Sequence, residues 1–405
     1  MQNRIERTVY LEWLKNWKEK QIIKVVSGVR RCGKSTLFDI YKDWLTENGT
    51  EKKQIISINF EDIEFEHLSD YHVLYSYIKE RLTADKMNYI FLDEIQHVNQ
   101  FEKVVDSLFL KDNCDVYITG SNAYFMSGEL ATVLTGRYVE LKMLPLSFKE
   151  FCSGLEEAEN MSNAQKFNLY IEQGSFPYLL KYKRSKNDVR DYLRDIYNSV
   201  LLKDIVARLK VSDVSTLENV TKFLLHNIGN IVSATKIANT LKSQGKGADQ
   251  KTIDKYLRGL TDSLMLYEAQ RYNLKGKMFL KTNSKYYTVD IGLRNMLVKS
   301  SESDIGHILE NIVFLELKRR GYDVYVGHLD DGEIDFVAVN GDDISYYQVS
   351  ATTLDENVLS RELAPFKRIG DNYPKYLLTL DEIFGTANYN GIKKLNVLDW
   401  LLNYS

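Results

Sequence analysis

Little in this chain can bend it, cross-link it or anchor it. Four prolines in 405 residues leave scant material for extended linkers, so folded structure is expected nearly throughout. Cys32, Cys114 and Cys152 lie far apart with no Cys-x-x-Cys pair. That spacing argues against a disulfide framework and against a zinc site, and it predicts a reducing, cytoplasmic setting. No apolar run approaches the ~20 residues needed to cross a bilayer. The opening MQNRIERTVYLEWLKNWKEK mixes charge with apolar residues at helical spacing, so neither a membrane span nor a signal peptide is expected. A charge excess of one sign is missing as well: the net value of -3 does not by itself suggest a nucleic-acid binder, although an average over several domains can hide a local patch.

What is present suits a multi-part soluble protein. A chain of 405 residues exceeds what one ordinary hydrophobic core serves, so several domains are expected. Residues 21–142 alternate short β-rich runs with longer helical ones, the pattern of a parallel sheet covered by helices. The strand candidates are Ile22 to Ser27, Gln54 to Phe60, Tyr89 to Leu92, Asp115 to Thr119 and Tyr138 to Lys142, with helices from Ser35 to Glu47 and Phe101 to Lys111. From Leu146 the texture turns helical, opened by a capping box of Ser147 and Glu150. The fold class expected is α/β, in four parts: a parallel-sheet domain at 1–145, a helical subdomain at 146–216, a segment of helices and two β-rich runs at 217–300 and a small α/β domain at 301–405.

The strongest chemical signal is Gly28-Val29-Arg30-Arg31-Cys32-Gly33-Lys34-Ser35, which fits G-x-x-x-x-G-K-[ST] between a β-rich run and an amphipathic helix. Glycines at those places let backbone N–H groups and a helix N-terminus wrap a phosphate chain. The candidate nucleotide contacts are Gly28, Arg30, Arg31, Cys32, Gly33, Lys34, Ser35 and Thr36, with Lys34 on the β- and γ-phosphates and the Ser35 hydroxyl on Mg²⁺. An ordinary glycine-containing turn would lack that strand-to-helix setting.

Tyr89-Ile90-Phe91-Leu92-Asp93-Glu94 delivers two carboxylates to the C-terminal end of a strand, where open α/β sheets bind ligands. Asp93 is expected in the Mg²⁺ shell, and Glu94 as the residue that polarises the attacking water. After the next strand, Thr119-Gly120-Ser121-Asn122 offers Asn122 to the γ-phosphate or the water. Arg137, after Gly136, is a candidate for stabilising phosphate charge in a neighbouring subunit of a homo-oligomer; its bland alternative is a surface ion pair.

The order of these elements, followed by Leu134-Thr135-Gly136-Arg137 and Leu144-Pro145-Leu146-Ser147-Phe148, resembles the AAA-type ATPases of bacteria and archaea that carry a DUF4143 C-terminal region. Gly174-Ser175-Phe176-Pro177 resembles the Gly-Gly-x-Pro element of that family and of the related STAND ATPases, with Ser175 replacing the second glycine. The resemblance implies ATP as the nucleotide and an AAA-like fold.

Charge is segregated by segment. Residues 231–299 hold 13 Lys and Arg against 5 Asp and Glu, a local excess of +8. Ser233 and Asp249 can each cap a helix, and two β-rich runs follow, in the outline of a winged helix-turn-helix with Lys251, Lys255 and Arg258 on its second helix. This predicts contact with DNA phosphates, the alternative being a docking surface for a protein partner.

The last segment resembles a PD-(D/E)xK nuclease core, with Glu310, then Gly332-Glu333-Ile334-Asp335-Phe336, then Tyr347-Gln348-Val349-Ser350. Gln348 and Ser350 stand where the resemblance implies an acid and a lysine, so the metal site is expected to be incomplete and the domain inactive. ATP-dependent switching or remodelling is the reading that follows, with an ATP-coupled DNA nuclease as the alternative.

Overall fold

Short apolar runs that end in polar residues become the strands of a parallel sheet. In the computed structural model, which describes residues 4–121, 134–156, 158–180, 185–245, 247–276, 278–299 and 304–403, these are β1 (Ile23–Ser27), β2 (Ile55–Asn59), β3 (Asn88–Asp93), β4 (Cys114–Gly120) and β5 (Tyr138–Lys142). Their order is β2-β3-β4-β1-β5, with every neighbouring pair parallel. The chain divides into two compact units, residues 1–145 with 262–264, and residues 146–261 with 265–405.

The first unit is the α/β domain that the alternation predicts. Helices α1 (Thr8–Trp17), α2 (Lys34–Glu47), α3 (Tyr71–Arg81) and α4 (Phe101–Phe109) accompany its sheet. Strands buried on both faces read as continuous apolar runs, and β1 and β3 are buried along their whole lengths. Ile23, Val25, Ile90, Leu92, Val116 and Ile118 share one apolar cluster. Phe38, Tyr41, Phe91 and Tyr117 form an aromatic one, with Phe91 and Tyr117 stacked at 4.8 Å. Each such side chain, fully buried, contributes about 1.5–3 kcal/mol. Because the strands are parallel, β1, β3 and β4 all finish at one edge, Thr119 lying beside Val26 and Leu92 beside Ile118.

The second unit begins with helices α5 (Phe148–Gly154), α6 (Asn163–Gln173) and α7 (Lys186–Asn198), a π-helical turn at Ser199–Val206, and α8 (Val214–His226). The Ser147/Glu150 capping box is present, each backbone N–H donating to the other's side chain at 2.8 and 3.0 Å. Strand β6 (Ile231–Val232), helices α9 (Ala234–Ser243) and α10 (Gln250–Asp262), and strands β7 (Leu266–Asn273) and β8 (Met278–Thr288) follow. Then come α11 (Ile291–Leu297), α12 (Ile305–Arg319), β9 (Asp323–Leu329), β10 (Gly332–Asn340), β11 (Asp343–Ser350), α13 (Glu356–Leu363), β12 (Lys375–Thr379), β13 (Ala387–Tyr389), β14 (Ile392–Asn396) and α14 (Val397–Asn403).

The nine strands form one sheet, ordered β13-β14-β12-β11-β10-β9-β7-β8-β6. Residue 300, the expected border between a winged-helix segment and a C-terminal domain, therefore falls within a stretch whose strands belong to a shared sheet. The seam is β7 against β9, parallel, with Arg271 to Asn273 beside Val326 to His328. Among the described residues no helix is long and apolar enough to cross a membrane.

Candidate functional site

The loop from Ser27 to Lys34 is held by close packing. A side chain at Gly28 would put its Cβ 2.5 Å from the Met143 carbonyl oxygen and 2.8 Å from the Cys32 sulfur, so only glycine fits. Gly33, at φ +105°, leads into α2 from the left-handed region, and Arg31 at φ +66° also lies there, a conformation that costs a non-glycine residue roughly 1–3 kcal/mol. Buried Arg7 buttresses the loop by donating to the Cys32 carbonyl at 3.0 Å and to the Leu144 carbonyl at 2.6 Å. Its distance along the sequence hides that role. Burial pushes the Cys32 thiol up.

Lys34 is 4% exposed, and its Nζ lies 3.0 Å from the Gly28 carbonyl oxygen and 3.2 Å from Glu94 Oε1. Burial works against charge on both groups. Even so, Glu94, with smaller help from Cys32 and Asp93, holds the ammonium above its usual range, and Lys34 and Gln96 hold the Glu94 carboxyl below its own. The pair is ionised. Asp93 behaves oppositely: burial raises its carboxyl, only partly offset by hydrogen bonds from the Ser35 and Thr119 hydroxyls.

Thr119 links the neighbouring strand ends, its hydroxyl donating to Asp93 and accepting from the Glu94 N–H at 2.8 Å. Glu94 itself sits at φ +54°, which turns its side chain out of the strand. Gln96 Nε2 donates to Glu94 Oε2 at 2.5 Å and to the Ser121 hydroxyl at 3.4 Å. No motif announced Gln96. Chemically, the arrangement offers a buried ammonium, a carboxylate able to accept a proton, and a hydroxyl–carboxylate pair, Ser35 with Asp93, of the oxygen-donor kind that suits Mg²⁺.

Of the candidate residues, the fold brings Gly28, Cys32, Gly33, Lys34, Ser35, Asp93 and Glu94 to one sheet edge. Thr36 is exposed on the first turn of α2. Arg30 stands at the rim, 3.3 Å from Glu61, and Arg31 is exposed. Glu61, Glu94 and His97 place one donor atom each within 4.8 Å of one another, the one such group among the described residues. Asn122 lies outside the described residues. Arg137 is not brought to this site: its carbonyl accepts from the Ile23 N–H at 2.8 Å, at the opening end of β1, about 13 Å of strand from the loop. Its guanidinium pairs with Asp106 of α4 and lies over the Phe109 ring at 5.6 Å.

In the second unit, Glu310, Glu333, Asp335 and Gln348 surround a residue that sequence reasoning missed. Lys285 of β8, 3% exposed along its side chain, has its Nζ 2.9 Å from Glu310, 2.9 Å from Glu333 and 3.7 Å from Asp335. Burial opposes its charge, but the three carboxylates raise its affinity for a proton well above the ordinary lysine range. Lys318, by contrast, pairs with Asp323 at 3.4 Å, and Lys367 is exposed. On α10, Lys251, Lys255 and Arg258 are all exposed, with Lys255 donating to the Leu209 carbonyl at 2.7 Å.

Residues 20–152 match the family model described as an AAA domain. Residues 164–304 match a domain of unknown function, DUF8612, and not the DUF4143 region that the resemblance implied. The chain is 40% identical over 404 residues to an uncharacterized protein of Haemophilus influenzae, covering 98% of each. It is 30% identical over 397 residues to an uncharacterized protein of Methanocaldococcus jannaschii, covering 93% of this chain and 85% of the relative. Among solved structures, a Walker-type ATPase of Pyrococcus abyssi aligns with a TM-score of 0.50 at 14% identity, over 73% of this chain and 96% of that one, a likeness of fold. The chain belongs to the family of these bacterial and archaeal relatives, and it is of the AAA type, its AAA domain running from residue 20 to residue 152 and lying largely in the first unit.

Proposed function

We propose that the protein binds and hydrolyses ATP with Mg²⁺ at the edge of the five-stranded sheet, and that turnover switches or remodels a partner. The observation that carries this reading is the meeting of Lys34 and Glu94 at 3.2 Å, which sets a phosphate-binding ammonium beside a carboxylate able to accept a proton from water. Gly28 and residues 30–36 wrap the phosphates. Ser35 and Asp93 hold Mg²⁺, a cation that would also relieve the cost of ionising buried Asp93. Glu94 polarises the attacking water, with Asn122 as its neighbour on the γ-phosphate. When ATP arrives, Lys34 exchanges Glu94 for phosphate oxygens and frees the carboxylate for its task.

Arg137 acts only on a neighbouring copy in a homo-oligomer, since its own chain holds it at the far end of β1. The four-part organisation is retained as a functional division, with residues 231–299 touching DNA phosphates through Lys251, Lys255 and Arg258, or alternatively a protein partner. The basic excess of +8 in that stretch favours DNA. The test is release of phosphate from MgATP by the purified protein with no acceptor added. Steady release that Lys34→Ala abolishes supports the reading, and wild-type protein that neither binds nor turns over ATP overturns it.

A further inference from the structure

Glu94 is gripped by a different group on each of its carboxylate oxygens. Lys34 Nζ lies 3.2 Å from Oε1, and Gln96 Nε2 donates to Oε2 at 2.5 Å. The two grips differ in what holds them in place. Lys34 opens α2 and carries its ammonium on a long, flexible stem. Gln96 belongs to the turn Ile95–His97, which the His97 N–H closes on the Glu94 carbonyl at 3.2 Å and the Val98 N–H closes on the Ile95 carbonyl at 2.9 Å. Fully buried Ile95 anchors that turn in the apolar cluster of the sheet.

The Gln96 amide has one orientation open to it. An ionised carboxylate only accepts hydrogen bonds, so the nitrogen must face Glu94 and the oxygen must face away. Oε1 is then buried with no donor, and leaving a buried acceptor unmade costs about 1–3 kcal/mol. A side chain kept only for packing has no need of that cost, since leucine is of similar size and has no acceptor to strand. Buried polar atoms without partners are uncommon in folded proteins. Here the stranded oxygen is explained by the other end of the same amide, which is committed to Glu94.

We propose that Gln96 is the positioning residue of the hydrolytic step: it keeps its hold on Glu94 Oε2 when Lys34 releases Oε1 to bind phosphate, so that the freed oxygen is the one that takes a proton from water. This rests on the ATP reading given above. The water oxygen bonds to the γ-phosphorus as the bond from phosphorus to the β–γ bridging oxygen breaks. The electron pair of that bond leaves with ADP, and one proton of the water passes to Glu94 Oε1 and from there to solvent. The Thr119 hydroxyl already fixes the Glu94 N–H at 2.8 Å, so the side-chain torsions are the freedom left for Gln96 to remove. A carboxylate released by Lys34 and not held by Gln96 drifts from the water, and a misplacement of about 1 Å costs roughly 100-fold in rate.

The experiment uses the full chain and measures three quantities for wild type, Gln96→Leu, Gln96→Glu and Gln96→Asn: the equilibrium Kd for MgATP, and the kcat and KM of phosphate release. In Gln96→Leu, kcat is expected to fall on the order of 100-fold while the Kd for MgATP stays unchanged. Gln96→Glu, which keeps the shape but cannot donate to Glu94, should lose as much. Gln96→Asn, which keeps the amide on a shorter stem, should recover part of the rate. Should Gln96→Leu fail to fold, Gln96→Glu decides. A folded Gln96→Leu or Gln96→Glu variant that turns over ATP at the wild-type rate overturns the proposal and leaves the ATP reading standing, as does a loss that appears in the Kd for MgATP and not in kcat. Wild-type protein that neither binds nor hydrolyses ATP overturns both.

Discussion

Each unit sets a buried lysine against carboxylates, but the two centres are assembled in opposite ways. Lys34 follows β1 and Glu94 follows β3, so the parallel sheet brings them to one edge simply because all its strands finish there. Lys285 meets Glu310, Glu333 and Asp335 only because β8, β7, β9 and β10 lie side by side in one sheet with α12 against them. The first centre needs only the order of its elements. The second needs particular pairings between distant segments. A site at strand ends can be written in contiguous motifs, whereas a site built across a sheet is spread through the chain.

The largest effect expected is at the first centre. Glu94→Gln should keep nucleotide binding and lose turnover by about 10²–10⁴-fold, the usual contribution of a proton-accepting group, while Lys34→Ala loses binding itself. Equilibrium binding and phosphate release, measured separately, check this; equal hydrolysis by wild type and both variants would remove the role assigned to strand ends.

The second centre should show its dependence on assembly as stability. Glu310→Ala removes the shared acceptor of Lys285 and Tyr287, and breaking a buried pair costs about 3–5 kcal/mol. Urea unfolding should show a clear fall in midpoint, and an unchanged curve would mean that Lys285 does not rely on this contact.

A smaller effect should appear in acid. Asp381 is buried, which opposes ionisation, yet Lys394 at 2.8 Å and donors from Thr352 and Thr353 hold its carboxyl down to about 2. Its folded value lies below the unfolded one, so its contribution is full above the unfolded value of 3.8 and is lost as pH falls toward about 2. Asp381→Asn should lower stability at neutral pH and flatten the loss between these limits, read from unfolding midpoints at several pH values.

Smallest is the change expected on α10. If residues 231–299 grip phosphates, replacing Lys251, Lys255 and Arg258 together should reduce the slope of log affinity against log salt by at most about 2.7, at roughly 0.9 per phosphate contact. The reduction should fall short of that limit because Lys255 also holds the Leu209 carbonyl. An unaltered slope in a salt titration would assign the segment to protein docking.

Much of the first unit was legible. The predicted strand Tyr138 to Lys142 coincides with β5, and the others differ from β1 to β4 by only one residue at either end, because both-face burial writes a strand as a continuous apolar run. Glu94 was legible from its place after Leu92 and Asp93. Arg7 and Gln96 were not, since an arginine just before the first helix and a glutamine in a turn acquire meaning only from what they touch. In the second unit the basic helix α10 and the Ser147 capping box could be read locally. The strands β13 and β14 were missed, since three residues beside a five-residue strand rich in lysine give no apolar pattern. Lys285 was missed for a different reason: the motif expects its lysine at the position of Ser350, whereas the ammonium near Asp335 arrives from β8, a strand that precedes the last segment.

The parallel seam between β7 and β9 has a practical meaning for anyone dissecting the molecule. Only three residue pairs are in register there, Arg271, Tyr272 and Asn273 against Val326, Gly327 and His328, with a side-chain contact of 2.8 Å between Arg271 and His328. A cut near residue 300 would unzip that seam and bare main-chain donors and acceptors on both fragments, a sticky border prone to self-association. The last hundred residues are therefore not a detachable cartridge: expressed alone they should clump, and a chain trimmed of them should lose the partner strand that shields β7.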